Sequence, residues 1–320
     1  MIRYEFIDLS IKEEDIHPEA IYHKERDLAK KLVKGTAPSE KIQPCPLCGA
    51  ARNEILFEKW GHRYAVCPRH FSIALSSMPD QNLLHKYFYD SELSQLRASK
   101  EVQDIITSKR KELWKGQIEW IEGRVTRYLG NDKYNTIDWG SKSSGWIECL
   151  RGTGFVKNVY ATETLPPITD NENFNEPVDI ILLVDTLQRQ HNPLQLFDRI
   201  VSRIKQGGLL CITCRAGTGF DILSLKSASE SIFPFDHLIL PSPEEIRFLL
   251  EQTGFEVLEV TTPGLLDMEY IKKSKKMIPR DQFFLRYILN RNDDDLLQRM
   301  QIFLQRNNLS SHLRCIARKK

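Results

Sequence analysis

The chain has 320 residues, of which 41% are hydrophobic and 28% are charged. At roughly 150 residues per domain, this length predicts about two domains, and the apolar content is sufficient for a hydrophobic core. The 45 Lys and Arg residues nearly balance the 43 Asp and Glu residues. This composition argues against a disordered chain and against a polycationic nucleic-acid binder.

Nothing in the sequence indicates a membrane or secreted protein. The longest uninterrupted apolar run, at 180–184, is far shorter than the roughly 20 residues that cross a bilayer. The first residues, MIRYEFIDLSIKEEDIHPEA, lack the apolar core of a signal peptide. The seven cysteines are odd in number and unevenly spaced, which does not suit a disulfide framework. We therefore expect a cytoplasmic protein.

Five segments follow one another along the chain. Residues 1–43 predict a charged helical arm, and residues 44–79 are rich in turn residues and metal ligands. Residues 80–130 have apolar side chains at helical spacing and predict a helical connector. Residues 131–262 alternate short apolar runs with amphipathic segments, which is typical of a parallel sheet with crossover helices. Residues 263–320 predict a helical extension, and the fold class is α/β.

Residues 44–79 contain two pairs of metal-ligand residues, Cys45 with Cys48 and Cys67 with His70. The two-residue gap within each pair lets both side chains turn inward on a tight knuckle. Four such ligands suit a tetrahedral zinc ion with no open position, so this zinc would be structural. The spacing therefore predicts a small zinc ribbon.

Other interpretations of these residues stay open. His70 is the weakest member of the predicted ligand set, because His62 and His85 could take its place. The two pairs could also be incidental residues of a core. A redox role for Cys45 and Cys48 is a further alternative, which their position before a ribbon-like hairpin does not favour.

A possible ligand site lies at residues 138–145, DWGSKSSG, where the first strand of the α/β segment turns into a helix. In an open α/β sheet this turn places ligands against backbone N–H groups. Glu163 ends the next predicted strand, where a carboxylate can accept hydrogen bonds from both ribose hydroxyls. The dinucleotide fingerprint and the phosphate-binding loop are both absent from this turn, which argues against a dehydrogenase. A simple strand-to-helix connection is the alternative.

The segment at 131–262 resembles the class I S-adenosylmethionine-dependent methyltransferases. The resemblance rests on the order of VDIILLVD, the Asn-Pro that opens a helix, the Lys-Gln-Gly-Gly that ends this helix at Gly207 and Gly208, and the Gly-Phe-Glu that begins a late strand. It implies a doubly wound Rossmann-like domain that binds S-adenosylmethionine. More narrowly, CPLCG, CPRH, HKYFYDSE and the closing LQRMQIFLQRNNLSSHLRCIARK resemble bacterial methyltransferases with a zinc ribbon, associated with surface-polysaccharide or nucleotide-sugar pathways.

The resemblance also implies roles for individual residues. Those assigned to the cofactor lie at the ends of the first, second and fourth strands of the family: Asp138, Gly140, Gly145, Glu163, Asp185, Thr186 and Leu187. Asp185 would lie beside the transferable methyl group. His237 matches a histidine on the substrate side and is the candidate general base. The alternative for His237 is a turn histidine bonded to a backbone carbonyl.

The implied reaction is methyl transfer to a small polar acceptor, with a nucleotide-linked sugar or polysaccharide precursor as the favoured class. The cofactor turn has few glycines, and only fifteen residues separate Glu163 from Asp179. These departures leave open a catalytically degenerate fold that serves as a scaffold for a protein partner. An RNA methyltransferase is a lesser alternative, because the sequence has no concentrated basic face.

Overall fold

The computed structural model describes residues 19–34, 36, 41–140, 144–162 and 176–320. In these parts of the chain, helices surround a large β-sheet, and a small antiparallel sheet packs against the same domain. None of the described helices combines the length and the apolar character that a membrane span requires.

The amino-terminal part supplies a helix, three short strands and three further helices. In chain order these are α1 (Glu19–Lys34), β1 (Ile55–Lys59), β2 (His62–Val66), β3 (Ile73–Leu75), α2 (Gln81–Tyr89), α3 (Glu92–Ala98) and α4 (Lys100–Leu129). Helix α1 buries Ala29 and Val33, as expected for an amphipathic arm.

The remaining elements alternate between strand and helix. They are β4 (Tyr134–Trp139), α5 (Ser144–Arg151), β5 (Val156–Thr162), β6 (Val178–Val184), α6 (Pro193–Arg203), β7 (Ile204–Arg215), α7 (Phe220–Leu225), β8 (Ile239–Leu240), α8 (Pro243–Gln252), β9 (Phe255–Thr261), α9 (Asp267–Lys273), α10 (Phe283–Asn290), α11 (Asp294–Arg306) and β10 (His312–Lys319). The predicted α/β class is confirmed.

The large sheet has the strand order β5-β4-β6-β7-β10-β9. Strands β5, β4, β6 and β7 are parallel, whereas β10 runs antiparallel to both of its neighbours. The chain leaves β4 toward one edge and returns to β6 on the other side of β4. This reversal is a topological switch point, and open α/β sheets bind ligands at the carboxyl ends of the strands there. The doubly wound architecture is therefore confirmed.

Both faces of the sheet are covered. Ile180 and Leu182 of β6 face one core, together with Ile121 of α4 and Trp146 of α5. Residues 181 and 183 face the second core, which includes the small sheet and helices α6 and α8. Because successive side chains of a strand point to opposite faces, burial on both sides requires the continuous apolar run that β6 has.

The small sheet includes a strand from the α/β segment. Its order is β1-β2-β3-β8, and Ile73 and Ala74 of β3 pair with Leu240 and Ile239 of β8. Buried Arg52 holds this sheet together through hydrogen bonds of 2.9 to 3.5 Å. It donates them to the backbone carbonyls of residues 43, 65, 74, 75 and 76. The segment predicted as a separate module is thus continuous with the larger domain through main-chain hydrogen bonds.

Helix α6 is shorter than the sequence predicts. The glycine pair at 207–208 was expected to end it, but the helix ends at Arg203 and both glycines lie within β7. A Cβ atom at Gly208 would lie 2.8 Å from the backbone oxygen of Asp179 and 2.9 Å from that of Lys205. The glycine is therefore required by the close approach of β7 to β6, and the expectation of a helix stop was wrong.

The predicted helical extension at 263–320 is helical only in part. Helices α9, α10 and α11 occupy its first two thirds, but residues 312–319 form β10 between β7 and β9. Leu313, Cys315 and Ala317 face one core and Ile316 faces the other. A short apolar run does not reveal by periodicity alone whether it is helix or strand. The predicted boundary after residue 262 therefore separates β10 from its own sheet.

Substitution of Gly208 tests its position in the sheet. We expect Gly208→Ala to lower the free energy of unfolding by about 1–3 kcal/mol, because the added methyl group meets two backbone oxygens that cannot move independently. The matched control is Gly123→Ala in α4, where nothing lies within 4 Å of the added atom. That variant should gain up to about 1 kcal/mol from helix propensity. Urea denaturation measures both, and an unchanged stability of Gly208→Ala would contradict the strand assignment.

Candidate functional site

The end of β4 provides the first predicted cofactor residues. Asp138 is fully buried, and its Oδ1 accepts a hydrogen bond from the indole Nε1 of Trp146 at 3.1 Å. Gly140 has φ 101°, a backbone conformation that residues with a side chain rarely adopt. The turn that follows β4 thus begins with a conformation that requires glycine, and Asp138 ties the strand to α5.

The end of β6 lies beside the end of β4. Asp185 has φ 51°, and its backbone N–H donates to the carbonyl of Thr213 at 2.9 Å. The hydroxyl of Thr186 donates to the carbonyl of Trp139 at 2.8 Å. This hydrogen bond joins the two strand ends at the switch point, whereas Leu187 packs in the core on the opposite side from α4. Four predicted residues, at 138, 140, 185 and 186, therefore lie at one edge of the sheet.

Gly145 has a packing role. A Cβ atom there would lie 2.9 Å from Thr107 Cγ2 and 2.9 Å from Trp114 Cζ3, both side chains of α4. Absence of a side chain at 145 lets α4 and α5 approach closely. The requirement for glycine at this position is thus explained by helix packing.

Glu163, the predicted ribose-binding acid, lies outside the described residues. Strand β5 ends at Thr162, directly before it. The hydroxyl oxygen of Thr162 is buried and has no hydrogen-bond partner among the described residues.

His237, the predicted general base, is buried next to the loop that precedes β8. Its Nδ1 accepts a hydrogen bond from the backbone N–H of Phe233 at 3.1 Å and lies 3.2 Å from the carbonyl oxygen of the same residue. The Tyr64 hydroxyl donates to the His237 carbonyl at 2.8 Å. Burial, and then the charge of Arg215, lower the pKa of His237 to about 3. These are the contacts of a neutral structural histidine, and its catalytic role stays a prediction.

The neighbouring Asp236 organises a buried ionic cluster that the sequence did not reveal. Its carboxylate accepts from Arg97 at 2.8 Å and from the Tyr87 hydroxyl at 2.7 Å, and Arg189 lies 3.6 Å away. Burial alone would raise the pKa of Asp236, but the charges of Arg97 and Arg189 hold it well below its usual range. The cluster connects the helices before β4 with the turn after β6.

The carboxyl edge of the sheet also carries positive charge near Asp185. Burial raises the pKa of the Asp185 carboxyl, and the charges of Arg189, Arg110 and Arg215 oppose this. Arg314 of β10 pairs with Thr213 of β7 across the sheet. Its Nε atom is buried without a hydrogen-bond partner among the described residues, and burial lowers its pKa to about 10. Arg314 was not among the predicted site residues, because its segment was expected to belong to a helical extension.

The three predicted cysteine ligands meet in the ribbon. The sulfur atoms of Cys45, Cys48 and Cys67 and a carboxylate oxygen of Glu245 all lie within 4.8 Å of one another. Nδ1 of His70, the predicted fourth ligand, lies 3.1 Å from Oε1 of Glu245. No local sequence pattern points to Glu245, which lies 175 residues beyond His70 on α8.

The two alternative histidines have other partners. His62 Nε2 lies 3.0 Å from the Thr36 hydroxyl and 3.3 Å from the Val33 carbonyl. His85 is half-exposed and forms an ion pair with Asp90 at 3.0 Å. Neither belongs to the group of closely spaced ligand atoms that the described residues form.

A comparison with known protein families finds a match that includes most of the α/β segment predicted at 131–262. Residues 106–260, a little less than half of the chain, match a family model described as a methyltransferase domain. This match supports a class I methyltransferase domain there. No curated protein matches the chain.

Structural comparison finds several methyltransferases with low similarity to this chain. The putative sarcosine dimethylglycine methyltransferase from Galdieria sulphuraria is 18% identical, with a TM-score of 0.42, and the alignment covers 69% of this chain and 91% of that one. The plantazolicin methyltransferase BamL, solved with a triazolic desmethylPZN analog and SAH, is 14% identical, with a TM-score of 0.44 and coverage of 74% and 94%. The Haloferax volcanii complex of the Trm112 methyltransferase activator with a putative methyltransferase is 14% identical, with a TM-score of 0.38, and the alignment covers 65% of this chain and 94% of that one. The chain has the Rossmann-like α/β fold of methyltransferases, with its methyltransferase-like region at 106–260.

Proposed function

We propose that the protein transfers a methyl group from S-adenosylmethionine to a small polar acceptor. The observation that carries this proposal is the family match over residues 106–260, which contains the strand ends of β4 and β6. It is supported by the switch point between these strands, where ligands bind in open α/β sheets.

Two features fit the cofactor. Gly140 adopts a positive φ at the first turn, and its lack of a side chain permits close approach to the backbone. The buried hydroxyl of Thr162 lacks a partner among the described residues and adjoins Glu163, the proposed ribose-binding acid. Residues Asp138, Gly145, Asp185, Thr186 and Leu187 complete the proposed set. When bound, S-adenosylmethionine supplies an electrophilic methyl group on a positively charged sulfonium.

The chain would contribute mainly orientation and charge. Methyl transfer requires an in-line approach of the acceptor, and a hydroxyl acceptor also requires a base. We place Asp185 before His237 as the residue that acts on the acceptor. Asp185 follows the end of β6 at the switch point, whereas the Nδ1 lone pair of His237 accepts a hydrogen bond from the Phe233 N–H.

We propose a nucleotide-linked sugar or polysaccharide precursor as the acceptor class. The support is the excess of positive charge beside Asp185. The Nε atom of Arg314 is buried without a hydrogen-bond partner among the described residues, and its guanidinium lies over the Trp120 ring, 5.1 Å from the ring centroid. An arginine in this state suits a phosphate group, which accepts two parallel hydrogen bonds from a guanidinium.

A second candidate is a non-catalytic scaffold with the same fold and a protein partner. The observation that favours it is Gly145, which belongs to the proposed cofactor set but whose Cβ position is occupied by Thr107 and Trp114 of α4. A turn devoted to helix packing would be consistent with a domain that no longer binds the cofactor.

Titration calorimetry with S-adenosylhomocysteine separates these candidates. We expect micromolar binding by the native protein, and a loss of about tenfold or more in Glu163→Gln, because a carboxylate that accepts two hydrogen bonds contributes about 1.5–3 kcal/mol for each. Asp185→Asn should also weaken binding. The matched control is Asp179→Asn, at the opposite end of the same strand, which should bind normally.

Absence of binding by folded native protein would contradict the methyltransferase proposal and favour the scaffold.

The pH dependence of stability tests the state of His237. A pKa lowered to about 3 means that the folded protein keeps this ring neutral. Its contribution to stability is complete above pH 6.5 and is lost as the pH falls below that value, because the unfolded chain then binds the proton. His237 alone should add about 1.4 kcal/mol per pH unit to the decline.

Urea denaturation at several pH values between 7 and 5 should therefore show that the free energy of unfolding falls less steeply with decreasing pH in His237→Gln than in native protein. Equal pH dependence of the unfolding free energy in the two proteins would show that His237 is accessible to protons in the folded state, as a general base must be.

We also propose a structural zinc ion bound by Cys45, Cys48 and Cys67. Three closely spaced sulfur atoms and a fourth ligand fit tetrahedral zinc. Removal of the metal with a chelator should lower the midpoint of thermal unfolding, because binding free energy is folding free energy in such modules. Zinc should restore the midpoint and magnesium should not, since magnesium prefers oxygen ligands. An unchanged midpoint after chelation would contradict the proposal.

A further inference from the structure

We infer that the fourth ligand of the metal site is Glu245 of α8, not His70 of the ribbon, so that the metal joins the ribbon to the α/β domain. This inference rests on the zinc that we propose above.

Two distances between the ligand atoms are close to those of a tetrahedron around one zinc ion. With Zn–S about 2.3 Å and Zn–O about 2.1 Å, tetrahedral ligands lie about 3.8 Å apart for two sulfurs and about 3.6 Å apart for a sulfur and an oxygen. The sulfurs of Cys48 and Cys67 are 3.5 Å apart, and Cys45 Sγ lies 3.7 Å from Glu245 Oε2. Glu245 therefore already stands at the distance at which a ligand would stand.

The start of α8 fixes the position of this carboxylate. Ser242 is the N-cap and Pro243 the first helical residue, and the Ser242 hydroxyl accepts a hydrogen bond from the Glu245 N–H at 3.0 Å. Glu245 is completely buried although its side chain ends in a carboxyl group. Among the described residues its only ion-pair partner is His70. A buried carboxylate requires a compensating charge, and a metal ion between it and three sulfurs would supply one.

His70 is better placed as a positioning residue than as a ligand. Its Nδ1 contacts Glu245 Oε1, whereas Cys45 Sγ lies near the other carboxylate oxygen, Oε2. Its ring stacks on Phe248, one turn further along α8, with the ring centroids 4.6 Å apart. A group that holds the second oxygen of a metal-binding carboxylate orients that ligand, as outer-sphere partners of metal sites commonly do.

The surroundings offset the negative charge of the ligand set. Three thiolates and a carboxylate exceed the charge of one Zn²⁺ ion. The buried guanidinium of Arg52 lies near the three cysteines, and Glu245 occupies the first turn of α8, where the helix dipole favours negative charge.

The metal would reinforce an existing contact between the two parts of the chain. The Ser242 N–H donates to the Ser72 hydroxyl at 2.8 Å, and the Ser242 hydroxyl donates to the His70 carbonyl. Strand β3 also pairs with β8 just before these residues. Loss of the metal should therefore loosen the ribbon specifically from residues 239–252.

Zinc X-ray absorption of the native full-length protein tests the ligand set directly. We expect three sulfur ligands and one oxygen ligand, without the multiple-scattering pattern of a bound imidazole. His70→Gln should keep this spectrum and lose about 10- to 100-fold in zinc affinity, as for outer-sphere substitutions. Glu245→Gln should change the spectrum and lose more affinity. Glu244→Gln, an exposed glutamate in the same helical turn, is the matched control and should match native protein.

An imidazole signature in native protein, lost in His70→Gln, would overturn the inference in favour of His70. Failure of the native protein to bind zinc at all would overturn both the inference and the zinc proposal. Neither result would bear on methyl transfer, because S-adenosylhomocysteine binding is measured separately. Hydrogen exchange adds a second readout that needs no variant, and unchanged protection of residues 239–252 after chelation would contradict the intermodule role.

Discussion

The architecture depends on the pairing of β10 with β7 and β9. Without this strand, β7 would end the parallel part of the sheet with unpaired N–H and C=O groups, and β9 would have no partner in that sheet. Because unpaired backbone groups are costly to bury, the antiparallel insertion lets two otherwise separate parts share one core. It also brings Arg314 beside the end of β7.

The chemistry of the sheet edge follows from this arrangement. The parallel strands direct their carboxyl ends to one side, where Asp138, Gly140, Asp185 and Thr186 lie together. The antiparallel strand directs its amino end to the same side and contributes basic residues there. One half of the edge thus carries the proposed cofactor residues, and the other half carries basic residues.

The features that could be predicted from the sequence are those that local patterns determine. The apolar run of β6 fixed the sheet class, and the two-residue spacing brought Cys45, Cys48 and Cys67 together as predicted. Prediction failed where distant residues decide the outcome. Gly208 appeared to end a helix, because the neighbouring strand that requires it cannot be recognised locally. Glu245 looked like an ordinary acidic residue in the first turn of a helix, and β10 looked like part of a helical tail.

The candidate site residues were chosen from the resemblance to methyltransferases, but the structure gives two of them packing or backbone contacts. Gly145 serves the contact between α4 and α5, and His237 is bonded to the backbone of its own loop. Both residues are of the type that the chemistry would require, yet each has a sufficient structural role. Conversely, the buried cluster around Asp236 had no recognisable motif, because its partners come from three separate elements.

The shared strand pairing and the contact of His70 with Glu245 have an evolutionary consequence. A segment whose edge strand pairs with another module, and whose cysteines adjoin a glutamate of that module, cannot be exchanged between proteins as an independent unit. Recombination that transferred residues 44–79 alone would leave β3 without β8 and the cysteines without Glu245. Inheritance of the ribbon should therefore be tied to residues 239–245, and changes at these two distant places should occur together in its descendants.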